Sequence, residues 1–255
     1  MPNVLVPCAI LIAPMYKKYG NKMLCFSPPV MLATFLIEFG LLFYTLWRYQ
    51  LTTLTRLVTV FLACLGIFQL SEYMLCGGLG MTHAEWVKLG FISITMLPVL
   101  GLHITATLAG VSIRPLLYAA YASAAAFVAY FAFAGGMAVI RECAPNYAIL
   151  ELGSTTSIVY AAFYYGWLLA TIGLAAHWAR KNPKKSVVLR WMVLGYAAFI
   201  VPTSIANLID PATIVAIPSI MCGFAVLCAI ILIWRVLPLS GNPLRVNAKA
   251  VKKRA

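Results

Sequence analysis

Two carboxylates stand where water should be scarce. Glu38 and Glu72 lie inside long apolar runs, and an ionisable group at the centre of a bilayer costs at least about 2.5–3.5 kcal/mol. Such a residue marks a ligand, proton or ion site by default, the competing reading being a carboxyl that glues one helix to the next. Glu38 falls about nine residues into the first apolar run, roughly 14 Å deep at 1.5 Å per residue, near the midplane. Glu72 sits about one turn below the end of the second run. Gln69, Glu72 and Cys76 are spaced three and four apart, which puts them on one helical face. That polar face should turn inward, since lipid would not solvate it. It is the best single candidate for a ligand site, with a structural hydrogen-bond cluster as its equal alternative.

His103 is the third candidate, in the third run. It follows Pro98 by about one turn, and the missing proline N–H frees a backbone carbonyl near Ile94. A lone membrane histidine more often satisfies a hydrogen bond than holds a metal, and no metal site is assigned. His177, beside Trp178 and Arg180, reads as interfacial, and His83 as part of an outer loop. Seven cysteines occur. Cys64, Cys222 and Cys228 fall inside helices, where cysteine behaves as a small apolar residue. Cys25, Cys76 and Cys143 map to the outer face, where disulfides persist, making Cys76–Cys143 a candidate bridge between the second helix and the fourth loop. His83, Glu85 and Glu142 lie near them in topology, yet no Cys-x-x-Cys spacing supports a metal.

These residues need a scaffold, and composition says which kind. The chain is 63% hydrophobic and 10% charged, against roughly 25% charged in a soluble domain. The surface cannot be mostly wet, so the lipid bilayer is the first partner. A formal charge of +13 could point to nucleic acid, but no soluble basic patch or binding motif accompanies it. Nucleic acid is excluded.

Seven segments are long enough to span as helices of about 20 residues. They run over 29–47, 55–76, 87–109, 115–139, 152–178, 187–208 and 212–235. Unbroken apolar stretches such as Thr213 to Val236 favour helices over barrel strands, which would alternate polar and apolar positions. The fold class expected is all-α, seven transmembrane helices in one bundle. Residues 1–28 form an N-terminal segment, 29–237 the membrane domain and 238–255 a basic tail. Val4 to Pro14 is too short to span and has no preceding basic region, so it reads as interfacial or as the product of a misassigned start, Met23 being the other candidate. The sixth and seventh helices contain Pro202 and Pro218, with Asn207, Asp210 and Pro211 in a tight turn between them. Kinked packing is the plainer reading, an outward-opening pocket the sharper one.

Charge sets the orientation. Arg48, Arg56, Arg114, the cluster from Arg180 to Arg190, and Arg235 with the tail place 14 of the 19 cations on one side. Short loops rich in Lys and Arg stay cytoplasmic, so the N-terminus is expected outside and the C-terminus inside a plasma (inner) membrane. Lys17, Lys18 and Lys22 run against that rule. All six carboxylates fall in or above the outer half. The tail anchors the chain and suits anionic lipid, worth about 1 kcal/mol per basic residue near the surface.

The layout resembles microbial rhodopsins and heptahelical receptors. Retinal chemistry requires a lysine in the last helix, and Thr213 to Trp234 contains none, so a covalent retinal is excluded and no cofactor is assigned. The chain also resembles small uncharacterised bacterial membrane proteins that open with Met-Cys-Phe-Ser. Cys25-Phe26-Ser27, Phe68-Gln69 with Glu72, and Leu102-His103 carry this likeness, although Leu24 separates Met23 from Cys25. The resemblance adds weight to Cys25, Glu72 and His103 and implies no reaction.

Three functions are expected to compete. The first is a receptor-like or sensory protein binding a small ligand in or above the outer half through Glu72, Gln69, Glu38 and His103. The second is a membrane-embedded enzyme or metal-dependent redox protein using Glu72, His103 and the outer cysteines. The third is a proton or small-solute transporter with Glu38 as the titrating group, although the internal repeat of many transporters is missing.

Overall fold

The computed structural model describes residues 28–77, 80–133, 138–144, 147–152, 154–209, 211 and 216–245. Seven long helices organise them: α1 (Pro28–Arg48), α2 (Thr53–Gly77), α3 (His83–Ala109), α4 (Arg114–Phe133), α5 (Ser154–Lys181), α6 (Pro183–Ile209) and α7 (Ile217–Ile231). A π-helical turn, Leu232–Val236, and a short helical turn, Leu237–Leu239, extend α7. All seven are long and apolar enough to cross a membrane, the last as a span from Ile217 to Leu239.

Local chemistry explains where the helices begin and end. Proline opens α1 and α6, where its missing N–H costs nothing. Thr82 and Glu85 form a reciprocal capping box ahead of α3, with the Thr82 N–H donating to Glu85 Oε2 at 2.7 Å. Gly110 ends α3 at φ 70°, the left-handed conformation that glycine adopts freely.

α3 is the hub, packed against α2, α4, α5 and α6. In lipid, burial of apolar surface does not drive helices together, so close approach through small residues matters more. Gly90 of α3 faces Ser71 and Phe68 of α2, and Gly101 of α3 receives the Tyr196 hydroxyl of α6. One contiguous core draws on every helix, from Leu42 of α1 through Leu62, Leu102, Ala124 and Leu168 to Tyr196 of α6 and Ala225 of α7. Phe43, Trp47, Tyr118, Phe133 and Leu208 point outward, as a lipid-facing surface requires.

The turn between α1 and α2 is clasped to the chain that leaves α7. Tyr49 bridges Leu244, Thr52 Oγ1 donates to Asn242 Oδ1 at 2.7 Å, and Asn242 Nδ2 donates to Thr55 Oγ1 at 2.6 Å. The Arg245 Nε–H donates to the Tyr49 carbonyl at 3.0 Å. At the opposite end, β1 (Ala138–Ala144) and β2 (Tyr147–Leu152) form an antiparallel hairpin with an irregularity between Ile140 and Glu142. It rests on α2, α3 and α7.

Several boundaries differ from expectation. The fourth helix stops at Phe133 instead of 139, because Val139 and Ile140 belong to the hairpin, which suits their β-branched side chains. The fourth loop is therefore partly strand. His83 is the first residue of α3 instead of a loop residue, because the capping box at Thr82 starts that helix early. Pro218 lies in the first turn of α7 and cannot kink it, whereas Pro202 is inside α6. Asn207 belongs to α6, and Asp210 lies outside the described residues.

Candidate functional site

Glu38 lies ten residues from either end of the 21-residue α1. Its face follows helical spacing, since Thr34, Glu38, Leu41, Leu42 and Thr45 are all buried. Glu38 itself is 0% exposed, while Leu36 and Ile37 beside it are exposed. On α2 the buried face carries Gln69 and Glu72, each 1% exposed. The three-residue spacing read from the sequence does turn both side chains inward.

The α1–α2 packing brings the two acids together. Gly66 of α2 lies under the Phe39 ring, and a Cβ built on it would be 3.8 Å from the Glu38 Cβ. Glu72 is six residues further along α2, about 9 Å at 1.5 Å per residue. Side chains lean toward the N-terminus of their own helix. On antiparallel neighbours, Glu38 therefore leans along the axis toward Glu72, and Glu72 leans back toward Glu38. Glu72 is therefore close enough for its charge to act on Glu38.

α7 closes the cluster. It packs on both α1 and α2 and contributes Ser219 and Cys222, three residues apart and both buried. Ser219 stands beside Glu72 as a hydroxyl donor, and Cys222 lies near both carboxyls. The groups nevertheless remain unsatisfied. Neither oxygen of Glu38, neither oxygen of Glu72, the Gln69 amide nitrogen nor the Ser219 hydroxyl has a hydrogen-bond partner of good geometry. A polar group buried without one costs roughly 1–3 kcal/mol, and a charged group more. Such a debt is unusual in a native core, and it is concentrated here.

Cys222 also lines a small cavity among α2, α3, α5, α6 and α7. The cavity encloses about 20 Å³, with Leu97, Pro98, Tyr164, Tyr196 and Met221 among its walls. A single water needs roughly 10–15 Å³ by this measure together with polar partners, and the almost wholly apolar walls do not supply them. The Tyr196 hydroxyl is a further buried group without a hydrogen-bond partner.

His103 is elsewhere. Its Nδ1 shares a hydrogen bond of 3.0 Å with the Tyr121 hydroxyl of α4, and the rings meet edge to face. Leu97, Pro98 and Gly101 line the other side of α3, toward the cavity and α6. The structure thus joins Glu38, Gln69 and Glu72 and leaves His103 apart. Tyr160 and Tyr164 pack into an aromatic cluster with Phe127, Phe131 and Phe163. Cys76 belongs to α2 and Cys143 to β1, but the side chains of both, and all of Cys25, lie outside the described residues. Among the described residues, no three His, Cys, Asp or Glu side chains gather as a metal-holding set.

Sequence reasoning passed over Gly66 and Ser219 and took Cys222 as packing alone. Cys222 reads as one more small residue in an apolar run, and only its partner helices reveal that it faces two acids. A Ser and a Cys three apart on one face were the available signal.

Seven helices long and apolar enough to cross a membrane, three of which share a buried pair of acids, define a multi-pass integral membrane protein. No protein-family model matches the sequence, and no curated protein matches it. Its function rests on its own geometry.

Proposed function

We propose that this protein is a carrier of protons, or of a small solute coupled to them, in which Glu38 and Glu72 form the exchanging pair. The observation that carries the reading is the pair itself: two acids from different helices, at most 1% exposed, with no hydrogen-bond partner on either oxygen of Glu38 and Ser219 alone beside Glu72. A carboxyl that merely glues helices has a donor in a neighbouring helix. An exchanging carboxyl keeps its oxygens available. Pro202 in α6 and the π-helical turn after α7 supply irregular backbone of the kind found at moving or functional helices.

The receptor-like reading, with a small ligand in or above the outer half, draws on the same residues but needs room. Small-molecule sites run from about 300 Å³ upward, and among the described residues the cavity beside Cys222 offers about 20 Å³. The enzyme reading needs Glu72 and His103 together, and His103 is engaged with Tyr121. The resemblance to small bacterial membrane proteins also picks out Glu72. In this reading the chain sits in a plasma membrane with the hairpin outside, the clasped end inside, and its basic tail on anionic lipid.

Protein reconstituted in liposomes with an internal pH-sensitive dye tests the function. Wild-type vesicles should dissipate an imposed pH gradient faster than empty ones, and Glu38→Gln or Glu72→Gln should return the rate to that of empty vesicles. Equal rates for wild type and both variants would overturn the reading.

A further inference from the structure

We infer that the end of the bundle where α6 begins and α7 finishes holds a site for one anionic phospholipid, whose headgroup phosphate is bound by Arg190 and Arg235. The site is separate from the acid pair and from the basic tail, and it stands whether or not the acids exchange protons.

Charge balance over the whole chain is the first argument. Arg180 and Lys181 close α5, Lys184 and Lys185 open α6, Arg190 follows about two turns in, and Arg235 lies in the π-helical turn after α7. The sequence has six acidic residues to set against them, and each is elsewhere. Glu38 and Glu72 are buried in α1 and α2. Glu85 caps the far end of α3, and Glu142 and Glu151 belong to the hairpin. Asp210 follows the last residue of α6, a helix of 27 residues and so about 40 Å long. No other Asp or Glu occurs anywhere in the 255 residues, so the counter-charge comes from outside the chain.

Arg235 supplies the second argument. Its guanidinium carbon stands 5.1 Å from the centre of the Trp191 ring of α6. A cation over an aromatic face is held by the ring quadrupole, which leaves the guanidinium N–H groups available as donors. Those donors suit the oxygens of a phosphate, which they meet two at a time. Among the described residues, no hydrogen bond or ion pair occupies the side chain of Arg235 or of Arg190. Trp191 therefore fixes Arg235 against α6, next to the residue that carries the second arginine.

Depth selects the ligand. Arg235 lies four residues inside the end of the Ile217–Leu239 span. The surface around the arginines is apolar. Val187 and Leu194, three and four residues from Arg190 and so on its face of α6, are exposed, as is Trp234. Tryptophan at such a level is an interfacial anchor. A soluble acidic protein meets the lysines of the α5–α6 turn, but not arginines set among lipid-facing side chains. A phospholipid has its phosphate at that depth and its acyl chains beside Val187 and Leu194. Basic pockets between membrane helices bind anionic headgroups in this way.

Native mass spectrometry tests this on the purified protein, delipidated in neutral detergent and titrated with dioleoyl phosphatidylglycerol or dioleoyl phosphatidylcholine. One phosphatidylglycerol should be retained per chain under conditions that strip phosphatidylcholine. At about fivefold in affinity per basic residue, the double variant Arg190→Gln/Arg235→Gln should bind it roughly 25-fold more weakly. Arg235→Lys keeps the charge but loses the planar fork, and should still weaken binding several-fold. Lys184→Gln/Lys185→Gln removes as much charge from the turn, where salt screens it, and should change affinity about twofold at most. If the double arginine variant does not fold, Arg190→Gln alone carries the comparison, with about a fivefold loss expected. Equal retention of the two lipids overturns the inference and leaves the cations to a soluble acidic partner. A loss as large in the lysine variant as in the arginine variant also overturns it, since diffuse charge then accounts for the binding.

Discussion

The Phe39 ring of α1 lies against Gly66 of α2, closer than any side chain at position 66 would permit. That contact draws the two backbones together one residue from Glu38. It follows that a glycine without chemistry of its own sets the separation of two residues that have it.

Gly66→Leu should overpack this interface. The expected cost is about 1–3 kcal/mol, read as a lower Tm in detergent. Gly66→Ala should cost less, because the half-buried Phe39 ring can swing aside. A Leu variant as stable as wild type would show that the helices are not in close contact there.

Asn242 ties the chain after α7 to the α1–α2 turn through Thr52 and Thr55. Asn242→Ala removes both bonds, and at about 0.5–1.5 kcal/mol each the loss should reach roughly 1–3 kcal/mol. The clearest readout is hydrogen exchange at the Gln50 amide, which donates to the Pro243 carbonyl at 3.0 Å. Exchange there should accelerate, while amides in the middle of α3 stay protected. Unchanged exchange at Gln50 would mean that the clasp is held by other contacts.

Much of this architecture is legible in the sequence, for physical reasons. Apolar runs of about 20 residues have one economical solution in lipid, so the existence of all seven helices follows from length alone. The inward face of Gln69 and Glu72 follows from their spacing. What does not follow is set by neighbours. The end of α4 was hidden because Val139 and Ile140 continue an apolar run while favouring a strand. Pro218 reads as a kink until α7 is seen to start at Ile217. The early start of α3 was in view as Thr82 and Glu85, three apart, a pattern that outweighs low hydropathy. Ser219 and Cys222 could not be assigned to the acids from spacing, because nothing in α7 says which helices lie across from it. His103, a candidate for the same ligand site as the acids, is bonded to Tyr121 on another face of α3.

The separation of His103 from the acids has a functional consequence. Tyr121→Phe should cost about 0.5–1.5 kcal/mol by removing one hydrogen bond, yet leave proton flux in liposomes at the wild-type rate. A flux lost together with that bond would place His103 in the transport path and contradict its separation.

Thr82→Ala should weaken the start of α3 by about 1 kcal/mol. The two bonds of the Thr82 hydroxyl disappear, since it accepts from the Glu85 N–H and donates to Glu85 Oε2 at 2.8 Å, while the Thr82 N–H keeps its bond to Glu85. The expected sign is a modest drop in Tm with flux retained. No change in Tm would show that the capping box is dispensable for α3.

The account's central claim is that Glu38 and Glu72 act as one exchanging pair, and infrared difference spectroscopy of the protein in lipid reads it most directly. Protonated carboxyls absorb apart from carboxylates, and a Gln substitution removes one acid at a time. The account predicts a carboxyl band that changes reversibly with bulk pH, loses intensity in Glu38→Gln, and has its remaining Glu72 component displaced in frequency. A carboxyl band that ignores pH, or a Glu72 component identical with and without Glu38, would contradict it.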